Sequence, residues 1–185
     1  MSNNESSERT LSQTNITKRV ATSAIMVGVG LVLSYLNPFA YFTIFGAKIN
    51  PFAHVVNAIM GVLVGTIFAL ITATAIAALR FSLAIGSIHA FHGGMTGAII
   101  VGIFAYILWK KTPKYVELAA LFEPIGTVFI GGTIAQLIAP IGGIEGLFTW
   151  WGLFAASCIP GSIIGFVILL ALKKANINRE DFFEE

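Results

Sequence analysis

The sequence predicts an all-α integral membrane protein, a bundle of six transmembrane helices with both termini in the cytoplasm. Three observations predict this fold class. Hydrophobic residues make up 56% of the 185 residues and charged residues only 11%, whereas a soluble domain carries about 25% charge. The apolar residues form runs that are long enough to cross a bilayer, and the positive charges gather between these runs. The net charge of +2 gives no indication of a nucleic-acid partner.

The first observation that fixes the helix count is the length of the apolar runs. A helix needs about 20 apolar residues to cross ~30 Å of hydrocarbon. The runs that meet or nearly meet this length are 20–36, 53–79, 95–109 and 148–172, and a fifth run, 116–138, is interrupted only by Glu117 and Glu123. The run 53–79 is too long for one ordinary span and short for two.

The placement of positive charge decides how this long run is counted. Lys and Arg concentrate on the cytoplasmic side of membrane proteins, and here they cluster at 18–19, 110–114 and 173–174. If all three clusters are cytoplasmic, the chain crosses an even number of times between them. This condition requires 53–79 to form two short helices that turn near Gly65. The alternative is a five-span protein in which 53–79 forms one tilted helix.

These runs divide the chain into one domain and two tails. Residues 1–17 are polar and are expected to form a flexible cytoplasmic tail. Residues 18–174 are expected to form a single six-helix transmembrane domain, followed by a cytoplasmic tail at 175–185. The single cysteine, Cys158, lies in an apolar run, where it is expected to be a small buried side chain and provides no disulfide framework.

The chain contains none of the motifs that mark an enzyme. There is no His-Glu-x-x-His pair, no Gly-x-Ser-x-Gly elbow and no Walker-type phosphate loop, so we expect no catalytic residue and no cofactor. His54, His89 and His92 are candidate metal ligands by residue type. No cysteine or carboxylate lies near them in sequence, and we therefore predict no metal site.

The segments predicted to lie outside the cell hold the candidate ligand-binding residues. These segments, 37–52, 81–94 and 139–147, combine histidine and asparagine with many aromatic residues in or beside them. The aromatics predict either a belt at the membrane interface or the walls of a ligand pocket. Segment 37–52, with its two Asn-Pro pairs, is a candidate lid.

Polar side chains at membrane depth need a partner or a function. His54 and Asn57 share one helical face, which predicts either ligand contact or hydrogen bonds between helices. Arg80 is predicted either to reach the lipid headgroups or to line the pocket. Glu123 is expected to pair with a nearby lysine or to cap the backbone before Pro124, and a proton or ligand site is the alternative. The full set of predicted ligand-binding residues is His54, Asn57, Arg80, His89, His92, Gln136 and Trp151.

Small residues recur four apart in three of the predicted helices. The pairs are Ala24 with Gly28, Gly61 with Gly65, and Gly161 with Gly165. Small residues at this spacing allow close approach of two helices in lipid. Each pair is therefore expected to pack inside the bundle or, if it faces outward, to dock a partner protein.

Several of these residues form a pattern that resembles the ThiW family. The pattern comprises Ile49-Asn-Pro-Phe-Ala-His-Val-Val-Asn57, the break at Gly61–Gly65, Leu79-Arg80, Ala90-Phe-His-Gly-Gly-Met-Thr-Gly-Ala98 and Glu123-Pro-Ile-Gly-Thr127. The likeness covers roughly residues 18–172. The sequence departs from the pattern at two places: Thr66-Ile67 follows Gly65 where Pro-Trp is expected, and His92 stands where Pro is expected.

The resemblance implies a substrate-binding (S) component of an energy-coupling-factor (ECF) vitamin transporter, with six helices and both termini inside. Such a subunit binds a vitamin precursor from outside, and the family's expected substrate is hydroxyethylthiazole. Its implied partners are a transmembrane coupling protein and two ATPases, with Ala21, Ala24 and Gly28 on the helix that meets the coupling protein. Two other classes stay open: a self-sufficient transporter or channel coupled to protons through Glu123, and a membrane assembly factor without a ligand.

Overall fold

The computed structural model describes residues 2–38, 43–45 and 47–183, and for residues 2–12, 14, 43 and 44 it describes the backbone alone. The described residues are mostly helical and form six apolar helices with one short hairpin. An all-α membrane architecture is therefore confirmed. Phe39, Tyr41 and Phe42, three of the aromatics near the predicted pocket, lie outside the described residues.

The first helix, α1, spans Ser2–Tyr35. The helix begins at Ser2 and so includes residues 2–17, the segment predicted as a flexible tail, which stays a prediction. No glycine or proline occurs in this segment to interrupt a helix. A short antiparallel hairpin follows α1, with strand β1 at Thr43–Ile44 and strand β2 at Ala47–Lys48.

The run 53–79 forms two helices and not one. Helix α2, Pro51–Ile59, continues as a π-helical turn over Met60–Val64, and helix α3 spans Thr66–Ser82. The chain breaks between them at Gly65, whose φ of 99° and ψ of 168° lie in a region that is essentially restricted to glycine. The break is thus where the charge pattern requires a turn.

The second half of the chain contains three longer helical segments. Helix α4 spans His89–Lys111. The fifth segment begins as a 3₁₀ helix at Pro113–Phe122, passes through a π-helical stretch at Ile125–Gly131 and ends as α5, Gly132–Ile138. Its irregularity is centred on Pro124, which has no N–H to donate to a helical hydrogen bond. Helix α6 spans Ile144–Lys174.

Among the described residues, four helices are long and apolar enough to cross a membrane by length and composition. They begin at Asn15 within α1, at His89, at Pro113 and at Ile144. The two helices on either side of Gly65 are apolar but shorter. The six helices match the predicted number, whereas the number of membrane crossings and the orientation of the termini stay predictions.

The three basic clusters lie at one end of the bundle, which we call the basic end. Lys173 donates from Nζ to the carbonyl of Lys114 at 2.6 Å and pairs with Glu117 at 2.9 Å. Lys18 Nζ lies 3.4 Å from the carbonyl of Asp181, which follows α6. The clusters of α1, α4 and α6, far apart in sequence, are therefore neighbours in space.

Residues 175–183, predicted as part of a tail, fold back onto the basic end. A 3₁₀ turn at Arg179–Phe182 follows α6, and Arg179 is only 3% exposed. Its Nη1 donates to the carbonyls of Gly61 and Val62, and its guanidinium lies over the rings of Trp109 and Phe183. Burial lowers the pKa of Arg179 to about 10, so the group remains a cation at neutral pH.

Candidate functional site

A cavity opens at the end of the bundle opposite the basic end. It encloses about 560 Å³ of empty space, part of which is open to the outside. Strand β2, the first turns of α2 and α4, the last turn of α3 and the middle of α6 supply its walls. The lining residues are Ala47, Lys48, Ile49, Asn50, Ala53, His54, Arg80, Ser87, His89, Ala90, Gly93, Gly94, Leu153, Phe154 and Ser157.

Arg80 points into the cavity and is only 5% exposed. The side-chain amide of Asn50 is oriented so that its oxygen faces hydrogen-bond donors. This oxygen accepts from both Nη atoms of Arg80 at 3.2 Å and from the hydroxyl of Ser34 at 2.8 Å. The backbone N–H of Asn50 donates to Ser157 at 2.9 Å. Of the two predictions for Arg80, the structure therefore favours the pocket over the lipid headgroups.

Beneath the cavity lies a buried network centred on Glu123, which is 0% exposed. Its Oε1 lies 2.8 Å from Nδ1 of His54 and accepts from Asn57 at 2.9 Å, while its Oε2 accepts from Ser162 at 2.9 Å. Asn57 also donates to the carbonyl of Gly94 at 3.0 Å. The carboxylate thus joins α2, α6 and the fifth segment.

The expectation that Glu123 pairs with a lysine or caps the backbone before Pro124 is wrong. The lysine cluster instead engages Glu117, through Lys173. Pro124 caps the π-helical stretch that begins at Ile125, and the Glu123 carboxylate lies in the core and not at the basic end. For His54 and Asn57, hydrogen bonding between helices is present, and His54 lines the cavity as well.

His89 and His92 are in contact on the first turn of α4. Nδ1 of His89 lies 3.1 Å from Nε2 of His92, and Nδ1 of His92 lies 2.9 Å from the carbonyl of Gly131. The His89 ring lies 4.5 Å from the ring of Trp150. His89 lines the cavity, whereas His92 stands behind it and stacks on Phe154 at 5.6 Å.

Gln136 and Trp151 lie away from the cavity. The Gln136 amide accepts from the N–H of Ile141 at 3.1 Å and donates to the carbonyl of Gly143 at 3.2 Å, so it holds the turn before α6. Trp151 donates from its indole N–H to Thr133 at 3.1 Å. The structure therefore does not bring these two predicted ligand residues together with the others.

The three pairs of small residues have different environments. A side chain added at Gly61 would meet Val101 at 2.6 Å, and one added at Gly165 would meet Ala58 at 2.5 Å, so these two pairs pack within the bundle. Gly28 has no atom of another residue within 4 Å of the place that a Cβ would occupy. Ala21 and Ala24 are also exposed, and the small residues of α1 therefore form an outward face.

One group of side chains could hold a metal ion by composition. Among the described residues, a ring nitrogen of His54, a carboxylate oxygen of Glu123 and Sγ of Cys158 all lie within 4.8 Å of one another, and the three residues are buried. Sequence spacing could not show this group, because its members come from three separate helices. In the structure these groups also form hydrogen bonds: His54 with Glu123 at 2.8 Å, and Cys158 with Ser162 at 3.5 Å.

Sequence reasoning placed Trp151 of α6 in the ligand site but missed the residues of α6 that line the cavity. Phe154 and Ser157 lie on the face of α6 that also carries Trp150, Gly161 and Gly165, at helical spacings of three and four residues. This periodicity is visible in the sequence and identifies the inward face. It does not show that a cavity lies against it.

Comparison with known proteins agrees with the geometry. The sequence profile described as "Thiamine-precursor transporter protein (ThiW)" matches residues 20–175, most of the chain. The chain belongs to the ThiW family. No curated protein and no solved structure gave a match.

Membership of the ThiW family confirms the resemblance seen in the sequence. Together with the four long apolar helices, it makes the chain a multi-pass membrane protein of a thiamine-precursor transporter family. As a ThiW protein it is expected to bind a small molecule within the bilayer. The cavity at the end of α3 and the start of α4 is the candidate site.

Proposed function

We propose that this ThiW protein is the substrate-binding component of an ECF-type importer, and that it takes up hydroxyethylthiazole, a thiamine precursor, from outside the cell. The cavity carries this proposal. It lies opposite the basic end, and Lys and Arg mark the cytoplasmic side, so it opens outward. On this assignment both termini are cytoplasmic and all six helices span the membrane.

The composition of the cavity suits a small heteroaromatic ring. Phe154 and His89 offer ring faces, and ligand pockets typically pair such walls with a few fixed polar groups. Asn50, His54 and Ser157 are placed to hydrogen-bond the hydroxyl or the ring nitrogen. The hairpin end at Lys48 also lines the cavity, which supports segment 37–52 as a lid, although 39–42 and 46 lie outside the described residues.

The energy for import is assigned to partner subunits. The chain carries no phosphate-binding loop, so ATP hydrolysis belongs to two separate ATPases joined through a transmembrane coupling protein. The outward face of α1 at Ala21, Ala24 and Gly28 is proposed to dock on that coupling protein. In lipid, exposed small residues permit the close helix contact that such docking needs.

Uptake of labelled hydroxyethylthiazole tests this function. Cells that produce the chain together with a coupling module should accumulate the label, whereas cells that produce the chain alone should bind it without accumulating it. Native mass spectrometry of the purified chain provides a second test by identifying any small molecule that copurifies.

One observation favours a rival function. The buried contact between His54 and Glu123 is of a kind that proton-coupled transporters use. Accumulation by the chain alone, lost in Glu123→Gln, would establish the rival and end the proposal. The absence of any thermal shift with thiazole, thiamine or pyrimidine ligands would instead favour an assembly factor without a ligand.

A further inference from the structure

Charge is distributed very unevenly around the cavity. Two of its lining residues, Lys48 and Arg80, carry a positive charge, and none of the lining residues is acidic. The sequence contains no Asp or Glu between Val20 and Trp109, so the hairpin and the loop beside the cavity supply none. The wall therefore has positive charge without a compensating carboxylate.

Arg80 is the more deeply placed of the two cations. At 5% exposure it is almost fully removed from solvent, and among the described residues it forms no ion pair. Its one assigned partner is the neutral amide oxygen of Asn50. Burying a cation is unfavourable unless an anion is close, and a guanidinium has five N–H donors to satisfy.

The buried carboxylate beneath the cavity is already engaged. The Glu123 carboxylate accepts from His54, Asn57 and Ser162 below the cavity floor. Lys48 adds its charge at the mouth of the cavity, where its Nζ lies 3.0 Å from the carbonyl of Ala84. Arg80 and Lys48 thus present donors to the cavity, and no acidic group of the described chain pairs with either.

We propose that the cavity binds an anionic ligand, in which a phosphate monoester or carboxylate group is held by Arg80 with assistance from Lys48. The inference rests on the proposed function for the ring-binding part of the site. It deepens that function by assigning the substrate class: a thiazole bearing an anionic substituent is preferred over the neutral alcohol. A guanidinium matches both groups in a two-pronged arrangement that an amide cannot reproduce.

Direct binding to the purified full-length chain tests the proposal. Titrations followed by calorimetry use hydroxyethylthiazole, its phosphate monoester, the corresponding thiazole carboxylate and inorganic phosphate alone. The two anionic thiazoles should bind about 10- to 100-fold more tightly than the alcohol, the range that a charge-assisted hydrogen bond provides. Inorganic phosphate alone should bind weakly, because it lacks the ring.

Substitution of Arg80 assigns the preference to that residue. Arg80→Gln should lower affinity for the anionic thiazoles much more than for the alcohol, and Lys48→Gln should have a smaller effect in the same direction. Lys110→Gln removes one positive charge at the basic end and serves as the matched control, with no change for either ligand. If Arg80→Gln does not fold, Arg80→Lys keeps the charge without the planar fork and should give intermediate affinity.

The outcomes separate this inference from the function on which it rests. Tight binding of the alcohol with equal or weaker binding of the anions overturns the inference and leaves the proposed function in place. An equal loss for both ligand classes in Arg80→Gln overturns it as well. If no thiazole binds, the proposed function itself fails.

A lipid headgroup is the other possible source of the anion. Repeating the titrations in nanodiscs with and without phosphatidylglycerol examines it. Loss of the preference for anionic thiazoles in the anionic lipid would assign the site to lipid.

Discussion

At the scale of single residues, the main organiser of the site is Glu123. The sequence shows an acidic residue in an apolar run, and physical reasoning requires it to have a partner. It cannot show which partner, because His54, Asn57 and Ser162 belong to other helices and become neighbours only on folding. The lysine cluster close to Glu123 in the sequence therefore suggested the wrong partner for this carboxylate.

Replacing Glu123 by glutamine should destabilise the protein. The amide keeps one acceptor oxygen, but its NH₂ group then faces the side chains that donate to the carboxylate. Leaving buried donors unsatisfied costs about 1–3 kcal/mol, so the midpoint of thermal unfolding in detergent should fall. Glu180→Gln changes an exposed carboxylate and should leave the midpoint unchanged. Equal midpoints for the two variants would show that the network contributes little.

At the scale of elements, helices α1 and α6 use small residues for different purposes. In α6, Gly165 packs against Ala58 of α2, whereas Gly28 of α1 faces outward. The sequence gives both helices the same small-x-x-x-small pattern, and nothing in that pattern distinguishes an internal contact from an external one. The distinction depends on how each helix is rotated, which tertiary packing decides.

A large side chain at Gly28 should block docking on the coupling protein without disturbing the fold. In Gly28→Trp the indole has open space, so ligand binding by the purified chain should be retained while transport with the coupling module is lost. Gly30→Trp is the matched control on the same helix, because a Cβ there already meets Ile76 at 2.5 Å and the variant should lose folded protein. Transport by Gly28→Trp at the normal rate would refute the docking role, and loss of ligand binding would show that Gly28 packs internally.

The break between α2 and α3 should tolerate no side chain. Gly65→Ala places a Cβ on a residue with φ of 99° and 2.9 Å from the Phe183 ring, and such backbone strain costs about 1–3 kcal/mol. Unfolding should therefore begin at lower temperature. Gly152→Ala, where a Cβ has open space in the middle of α6, should be neutral or slightly stabilising. A neutral Gly65→Ala would mean that the turn can adopt another conformation.

At the scale of the whole molecule, hydrophobicity and charge were enough to predict six helices and the division of 53–79. These properties depend on local composition and on the position of Lys and Arg, which the chain shows directly. The hairpin at 43–48 and the return of Arg179 to Gly61 depend on long-range contacts. The cavity itself also depends on such contacts, because its walls come from four separated parts of the chain.

Labelling of single cysteines should settle how many times the chain crosses the membrane. In a Cys158→Ser background, cysteines at exposed Leu83 and Pro140 should react with an impermeant maleimide in intact cells. Cysteines at exposed Gln13 and Lys174 should react only after permeabilisation. Labelling of these two end positions from opposite sides would require an odd number of crossings and would favour the five-span alternative.

The contact made by Arg179 has a consequence for the order in which the protein is completed. Arg179 follows the six helices of the described residues, so the ribosome makes it after them, and the carbonyls of Gly61 and Val62 receive its guanidinium only then. Until that moment these two carbonyls at the junction between α2 and α3 lack the guanidinium as a donor. A protease that cuts between Lys174 and Arg179 would return a finished molecule to this earlier state, with every membrane helix still intact.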